Sequence, residues 1–340
     1  MATRADVARL AGVSESTVSY ALSGKRPISE TTRQRVREAV EQLNYHPNFA
    51  AHILAGGKTK TIALIFPENK YGIPPITLEY VSGAAKTAYN NGYQMILIPS
   101  EDITFDEIAR YKESGLLGGV ILMEIRLHDE RVDFLQKLQV PYVLIGRTRD
   151  SEKHIYVDRD FEEVAKKSLD YLKKIGHKKI AVLSQMRKVH GSELGVDSRY
   201  FNSIVRYAKV LRLNLCEMRT ENTSTEGRNS FILMQEKHPD ATAVLALPDL
   251  ATMGFVAAAS EFNCRIPEDL SVLAVNMPQN QIELTWPHLT TVEVPAFAMG
   301  VEAMRKLIDS IEGKELTHKS QLFVGELHVR GTTGAYKARS

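Results

Sequence analysis

Cysteine and tryptophan are scarce in this chain of 340 residues, which has two cysteines and one tryptophan. Cys216 and Cys264 have neither the density of a disulfide scaffold nor the clustering of a metal site, so we expect buried free thiols. Long apolar runs are also missing, since residues 61–67 and 119–123 are far shorter than the roughly 20 residues that cross a bilayer. Asp6 stands where a signal peptide is apolar. We therefore expect a cytoplasmic protein with no membrane partner.

Catalytic signatures are missing as well. The sequence contains no Walker-type phosphate loop, no GxSxG, no HExxH and no CxxC, and its ten histidines are scattered. The segment GLLGG at 115–119 contains glycine but lacks the phosphate-loop spacing. We therefore expect no enzymatic activity, no cofactor and no metal, and we interpret the scattered acidic residues as solvated helix faces.

The basic charge is concentrated near the N-terminus. Residues 1–60 hold nine lysines and arginines against five acidic residues, whereas the remaining residues hold 34 against 36. The length and the apolar content of 44% suggest two or three domains with ample core. A small basic segment joined to a nearly neutral body indicates a polyanion partner for that segment. A merely solvated basic face fits the charge alone about as well.

The first 44 residues predict three short helices around one small core. Thr3 and Asp6 predict an N-terminal cap of the first helix, Gly12 ends it, and Ser14 can cap the second. A third helix is predicted from about Ser29 to about Asn44. The residues expected to face the core are Val7, Ala8, Leu10, Ala11, Val18, Ala21, Leu22, Val36, Val40 and Leu43.

The spacing of Ala8, Gly12 and Val18 predicts a helix-turn-helix, which needs a small residue, a tight turn and an apolar anchor at these points. The second helix would then place its outer face in a major groove. The predicted base contacts are Glu15, Ser16 and Tyr20; the predicted phosphate contacts are Ser14, Thr17, Ser19, Ser29 and Arg33, with Arg35 and Arg37 also available. A purely structural role remains the alternative, because any small helical domain needs such caps.

The segment NYHPNFAAHILAGGKTKT at 44–61 predicts a helix of about two turns. Pro47 suits its first turn, Asn48 can cap it, and Gly56 and Gly57 end it. So short a helix is marginal in water, so we expect it to form only with a partner, as a linker that folds on DNA in a dimer. A plain flexible linker is the alternative.

RADVARLAGVSESTVSYALSG, SETTRQRV and NYHPNFAAHILAGGKTKTIAL together resemble the head and hinge of the lactose-repressor/galactose-repressor (LacI/GalR) family of transcription regulators. The resemblance continues through almost the whole chain. It implies a helix-turn-helix domain at 1–46, a hinge at 47–60 and an effector-binding and dimerisation domain at 61–340. It also implies that Leu54 is wedged into a minor-groove base step. His52 stands where the family usually has arginine, which implies an altered or pH-sensitive contact.

Alternating strand and helix signals after Thr61 predict a parallel α/β body. Strands are predicted at 62–66, 94–98, 119–123, 142–145, 179–183, 243–247 and 271–275, and helices at 78–90, 161–175 and 251–262. So many strands predict two lobes, with crossovers at 158–160, within 276–290 and near 320. The N-lobe is then about 61–158 and 290–320, and the C-lobe about 159–289 and 321–340. A ligand is expected at the carboxyl ends of the strands, between the lobes.

The family resemblance implies a body similar to periplasmic sugar-binding proteins and an effector in its cleft. It places Arg199, in DSRYF, and Asp249 at effector-contacting positions. Five further residues lie at or after strand ends and are predicted to complete the pocket, with an ordinary surface or packing role as the open alternative for each: Tyr71, Glu124, Arg147, Gln185 and Asn222.

Three positions of the body depart from the family pattern. Asn276 stands where many members have an aspartate and is followed by Met277; Arg159 occupies a position that is commonly small or polar, and Asn202 one that is commonly glycine. Asn276 can still donate and accept, but its bonds are uncharged and weaker. A simple sugar is therefore less expected than it would be with aspartate.

Two hypotheses follow. In the first, the protein is a DNA-binding transcriptional regulator, most often a repressor in such a family, controlled by a small-molecule effector and paired as a homodimer through residues 76–89, 251–262 and 280–290. Its partners would be double-stranded operator DNA and a sugar or sugar derivative. In the second, it is a soluble ligand-binding or sugar-processing protein whose head is vestigial.

Overall fold

The computed structural model describes residues 2–23, 26–45, 59–68, 72–100, 103–185, 187–189 and 191–336. The chain forms two compact units, residues 1–59 and residues 60–340. We refer to them as the head and the body and describe each by itself.

The head consists of α1 (Arg4–Ala11), α2 (Glu15–Ser23) and α3 (Glu30–Gln42). The predicted caps are present: Thr3 and Asp6 form a capping box, and Ser29 accepts from the Thr32 amide. Gly12 ends α1 in the left-handed region at φ 64°, a conformation that glycine adopts without strain. The fully buried valines Val7, Val18 and Val36 meet at the centre of the head.

Two residues that we predicted in the head core lie outside it. Leu10 is 50% exposed and Leu22 is 43% exposed. A domain this small has little interior, and the contact face of α1 is already filled by Val7, Ala8 and Ala11. Tyr45, which the sequence analysis did not place, is buried instead against this core.

The first six-stranded sheet of the body is entirely parallel and has the order β13-β5-β4-β3-β1-β2. Its strands are β1 (Thr61–Phe66), β2 (Gln94–Pro99), β3 (Gly119–Leu122), β4 (Tyr142–Ile145), β5 (Tyr156–Arg159) and β13 (Ser320–Phe323). Every residue of β1 and β3 is buried, as expected for strands covered on both faces.

The second six-stranded sheet has the order β14-β12-β11-β10-β6-β9 and is parallel except for β14. Its strands are β6 (Lys179–Ser184), β9 (Asn214–Arg219), β10 (Ala243–Ala246), β11 (Ser271–Val275), β12 (Thr290–Glu293) and β14 (Glu326–His328). A short hairpin is formed by β7 (Lys188–Val189) and β8 (Ser192–Glu193). The predicted fold class, an α-helical head and a two-lobed body with parallel sheets, is confirmed.

Helices connect the strands of both lobes. They are α4 (Pro75–Asn90), α5 (Phe105–Glu113), α6 (Glu130–Lys137), α7 (Phe161–Lys174), α8 (Gly195–Leu211), α9 (Ser224–Lys237), α10 (Asp249–Glu261), α11 (Gln279–Ile282) and α12 (Ala296–Glu312), with a 3-10 turn at Ser151–Lys153. Among the described residues, no helix has both the length and the apolar character to span a membrane.

The lobe boundaries differ from the prediction at two strands. We placed β12 in the N-lobe, but it pairs with β11 of the second sheet; we placed most of β13 in the C-lobe, but it pairs with β5 of the first. The later crossings therefore lie just after residue 293 and between residues 323 and 326. The exposed pattern of β13 gives little apolar signal, so its sheet could not be assigned from the sequence. The last crossing passes Gly325, where a Cβ would lie 2.8 Å from Val292.

Each lobe contains a pair of helices that cross at reciprocal glycines. A Cβ on Gly83 of α4 would lie 2.1 Å from the Phe297 carbonyl oxygen, and a Cβ on Gly300 of α12 would lie 2.1 Å from that of Tyr80. In the other lobe, Gly227 of α9 and Gly254 of α10 approach the opposite backbone in the same way. These distances leave no room for a methyl group, so the helix pairs depend on glycine.

Gly254→Ala is expected to destabilise the body strongly. Its Cβ would lie 1.9 Å from the Ser224 carbonyl oxygen, so α9 and α10 would have to separate. Overpacking a core commonly costs about 1–3 kcal/mol, and a clash with backbone belongs at the upper end of this range. Urea unfolding of the purified protein measures the loss, with exposed Ser260→Ala on the same helix as the control. Equal stability of the two variants would contradict the close crossing.

Candidate DNA-recognition face and interlobe cleft

The start of α2 is organised by its own hydroxyl groups. The Thr17 amide donates to Ser14 Oγ at 3.2 Å, and Ser14 Oγ lies 2.8 Å from both Ser16 Oγ and Thr17 Oγ1. The sequence requires this because the first amides of a helix lack partners within it. Ser14 and Thr17 thus have a structural role in addition to any contact with phosphate. Ser19 and Tyr20 are partly exposed further along the helix.

Three residues of the predicted recognition face, Glu15, Tyr20 and Arg33, have partners within the head. Arg4 Nε donates to Glu15 Oε2 at 3.0 Å, and Arg33 Nη1 donates to Glu30 Oε2 at 3.0 Å. The Arg26 guanidinium lies 5.1 Å from the centre of the Tyr20 ring. The Arg4 pair offsets the charge of Glu15, which reduces its repulsion from a phosphate backbone and holds its carboxylate on the outer face of α2.

Four predicted site residues lie outside the described part of the chain. They are Asn48, His52 and Leu54 of the hinge and Tyr71 of the body. Their roles stay predictions.

The body contains a cavity of about 590 Å³ at the carboxyl ends of the strands of both sheets. Five predicted effector residues line it: Glu124, Gln185, Asn222, Asp249 and Asn276. They come together because each follows a parallel strand, and these strand ends meet at one edge of each sheet. Their role as effector contacts stays a prediction. The described residues contain no cluster of acidic, histidine or cysteine side chains that could hold a metal ion.

Backbone strain is found after one strand of each lobe. Glu124, which closely follows β3, has φ 53°, and Asn276, which directly follows β11, has φ 56°. Non-glycine residues rarely adopt this left-handed conformation, and those that do are concentrated at functional sites. Asn276 Oδ1 is buried and has no hydrogen-bond partner in the described structure, and the same holds for Gln281 Oε1. Asn276 therefore offers the cavity a free acceptor.

Asp249 is held by a small amide network. Its carboxylate accepts hydrogen bonds from the side chains of Asn222 and Gln281 and from the Leu250 amide at 2.9 Å. Asn222 Oδ1 in turn accepts from the Ala251 amide at 3.1 Å. The network fixes Asp249 and Asn222 at the start of α10, so both reach the cavity with little freedom to move.

An ion-paired arginine joins the lobes across the cavity. Arg187 of the C-lobe donates to Glu124 of the N-lobe and to both carboxylate oxygens of Asp197, at 2.9 and 3.1 Å. Arg187 was not among the predicted effector residues, because its pairing with Glu124, 63 positions away, leaves no local signal in the sequence. All three residues line the cavity, so this positive charge is already compensated.

Neither Arg199, which the resemblance placed in the cleft, nor Arg147, which was predicted there from its position after a strand, lines the cavity. The Arg199 guanidinium extends from α8 and donates to the backbone carbonyls of Arg147 and Thr148, each at 2.8 Å. Burial lowers the pKa of Arg199. Arg147 forms an ion pair with Asp158 at 3.0 Å. Arg199 thus connects the C-lobe to the N-lobe loop that follows β4.

Backbone contacts beside Arg199 complete this junction. The Gly195 amide donates to the Ile125 carbonyl and the Leu127 amide donates to the Glu193 carbonyl, both at 2.9 Å. A Cβ on Gly195 would lie 2.3 Å from an Arg199 nitrogen and 3.1 Å from the Ile125 oxygen. Glycine at this position therefore permits the close contact between the lobes.

Arg159 and two tyrosines form one wall of the cavity. Arg159 Nε and Nη2 donate to the Tyr80 hydroxyl at 3.2 and 2.7 Å, and the guanidinium lies 5.9 Å from the centre of the Tyr200 ring. Burial raises the pKa of Tyr200 to about 12, so its hydroxyl stays protonated at neutral pH. Arg159 was noted only as a departure from the family pattern; its position at the end of β5 was the signal that could have placed it in the site.

Known proteins resemble this chain in both units. A family model described as bacterial regulatory proteins, lacI family, matches residues 3–48, and one described as periplasmic binding protein-like domain matches residues 169–333. The HTH-type transcriptional regulator AglR of Rhizobium meliloti (strain 1021) is 30% identical over 352 residues, which cover 98% of this chain and 95% of AglR.

Two solved structures share the fold. The complex of the transcriptional regulator CelR with cellobiose is 25% identical, with a TM-score of 0.72 and coverage of 98% of this chain and 100% of that chain. The Lac repressor dimer bound to operator and the anti-inducer ONPF has a TM-score of 0.84 at 21% identity, with coverage of 98% and 99%.

Arg199→Met is expected to destabilise the protein in the absence of any ligand. The variant loses two hydrogen bonds from a charged group and leaves two carbonyls without these donors, which we expect to cost about 2 kcal/mol or more. Arg206→Met is the matched control, because Arg206 lies on the same helix, is 67% exposed and, among the described residues, pairs with Glu162 alone. Urea unfolding of both variants measures the difference. If Arg199→Met unfolds like the control, Arg199 does not stabilise the junction between the lobes.

Proposed function

Since the chain belongs to the lacI family of bacterial regulatory proteins, we propose that it is a transcriptional repressor whose affinity for operator DNA changes when a small molecule binds in the interlobe cleft. The chain is a DNA-binding transcriptional regulator with a helix-turn-helix head. The observation that carries the proposal is the combination, in one chain, of that head with a lined cavity between two lobes.

DNA recognition is assigned to the outer face of α2 and the start of α3. Ser16, Ser19 and Tyr20 are exposed or partly exposed on α2, and Glu15 is oriented there by Arg4. The basic charge of the head supplies the attraction to phosphate that does not depend on sequence, and the side chains of α2 supply the discrimination between bases.

The effector is assigned to the cavity lined by Glu124, Asn222, Asp249 and Asn276. Carboxylate and amide groups at fixed positions suit the hydroxyl groups of a sugar or sugar derivative, and the related regulator CelR has been solved with cellobiose. A ligand that binds one arrangement of the lobes better than another shifts the protein toward that arrangement. Linkage then requires that DNA and effector alter each other's affinity by the same factor.

We assign dimerisation to three segments of the body, residues 76–89, 251–262 and 280–290. Each carries exposed large apolar side chains: Leu78 and Tyr89 in the first, Phe262 in the second, and Leu284 and Trp286 in the third. Leu284 is 77% exposed and Trp286 is 87% exposed. Apolar side chains this exposed are typical of surfaces that a partner covers.

Tyr20→Ala is expected to weaken binding to a duplex that the purified protein selects from a random library by about 1–3 kcal/mol, which is roughly a 5- to 150-fold change. Its binding to unselected duplex should change little, because that binding depends on phosphate contacts. Fluorescence polarisation at two salt concentrations measures both, and affinity should fall steeply as salt rises. Tyr111→Ala, an exposed position of the body, is the control.

The proposal is contradicted if the full-length protein binds no duplex, or if it binds every duplex sequence with the same affinity. Such a result would favour the second hypothesis, a ligand-binding protein with a vestigial head.

Leu284→Asp is expected to shift the protein from dimer to monomer by at least about tenfold in dissociation constant, because a desolvated charge in an apolar interface is costly. Sedimentation equilibrium measures the mass relative to the 38.1-kDa chain. Val210→Asp is the control, since Val210 is 70% exposed and lies outside the three segments. A monomeric parent protein at micromolar concentration, or equal behaviour of the two variants, would refute the assigned interface.

A further inference from the structure

One end of the cleft contains more positive than negative charge. Arg147, Arg159 and Arg199 surround a single carboxylate, that of Asp158. Arg147 pairs with Asp158 at 3.0 Å, and the Asp158 carboxylate also accepts from the Arg159 backbone amide at 2.8 Å. Arg199 donates to two neutral backbone carbonyls. Three guanidinium groups thus share one negative charge.

Arg159 is the member of this group that lines the cavity. The hydrogen bonds of its guanidinium go to the neutral Tyr80 hydroxyl, and its plane lies near the rings of Tyr80 and Tyr200 at 5.8 and 5.9 Å. Within the described ranges, no carboxylate oxygen lies within 4.0 Å of its guanidinium nitrogens. Arg187, the other cavity-lining arginine, is by contrast paired with both Glu124 and Asp197.

The acidic groups elsewhere in the cavity do not compensate Arg159. Glu124 and Asp197 are paired with Arg187, and Asp249 is held by the amides of Asn222 and Gln281. Glu68 and Glu221 also line the cavity but are exposed to solvent. A partly buried cation without an ion pair of its own attracts anions, and an anion that reaches it gains both the charge attraction and the hydrogen bonds.

Arg159 and Asn276, which both line the cavity, offer a ligand two complementary groups. Arg159 carries a positive charge, whereas the Asn276 amide is uncharged. Asn276 leaves a buried acceptor free, which suits a ligand hydroxyl. These two residues therefore suit a ligand that carries both a negative charge and hydroxyl groups.

We propose that the effector is an anionic carbohydrate, a sugar acid or a sugar phosphate, whose charged group binds the Arg159 guanidinium while its hydroxyls face Asn276 and Asn222. This rests on the proposed function, because it concerns the ligand of the same cleft. The planar guanidinium can bind two oxygens of a carboxylate or of a phosphate, so the same site can recognise either anion. Arg159 is then the residue that sets specificity for charge.

Matched ligand sets test the proposal on the full-length protein by isothermal titration calorimetry. The sets are glucose, glucuronate and glucose 6-phosphate; galactose, galacturonate and galactose 6-phosphate; and glucitol with gluconate. At least one acid or phosphate should bind ten or more times more tightly than its neutral counterpart, and its affinity should fall as salt rises. The carboxylate and phosphate members of the first two sets distinguish the two sources of charge.

Arg159→Gln should reduce this preference at least tenfold, whereas Arg219→Gln should leave both the preference and the parent level of binding to selected duplex unchanged. Arg219→Gln is the control, because Arg219 is 64% exposed and pairs with Glu217 away from the cavity lining. Tighter binding of the neutral member, absence of binding by every anion in the sets, or an unchanged preference in Arg159→Gln overturns the proposal. If the parent protein binds DNA but prefers neutral sugars, this inference alone is refuted. If the parent protein binds no duplex at all, the proposed function is refuted.

Discussion

The cleft depends on the junction where the two lobes meet behind it. Gly195 brings the start of α8 against the Ile125 carbonyl, and Arg199 donates to two carbonyls of the loop that follows β4. Backbone hydrogen bonds fix a distance and a direction more strictly than apolar contact does. Every residue that lines the cavity from one lobe is therefore held at a defined distance from the residues of the other, and Arg187 bridges them on the cavity side.

The parallel sheets explain why polar groups from distant parts of the chain meet in this cavity. Glu124, Asn222 and Asn276 follow β3, β9 and β11, and the strand ends converge although the residues are far apart in sequence. The helix pairs that cover the sheets cross at glycines, so the lobes are closely packed behind the site. Rigid lobes and a junction of few hydrogen bonds concentrate any ligand-dependent change at the junction.

Local features of this chain were predictable from its sequence, and long-range pairings were not. The caps at Thr3 and Ser29 and the interior strands were predictable because capping and apolar runs are local. The exposed strand β13 and the sheet of β12 were misassigned, since strand pairing is not encoded locally and β13 pairs with a strand more than a hundred positions away. For the same reason, Arg199 could be placed near the cleft but its carbonyl partners could not be identified. The structure was needed to see that the Arg187 guanidinium is paired with two carboxylates and that the Arg159 guanidinium is paired with none.

The charge of the cleft and the junction of the lobes are physically connected. Arg199 of the junction and Arg159 of the cavity wall both lie close enough to Asp158 to interact with it electrostatically, as Arg147 does. Like charges that share one carboxylate repel each other, and this repulsion opposes the approach of α8 to the loop after β4. An anionic ligand bound to the Arg159 guanidinium would reduce this repulsion and favour the closed junction between the lobes. On this proposal, such a ligand would favour one lobe arrangement over another, as linkage between sites requires, without itself touching Arg199.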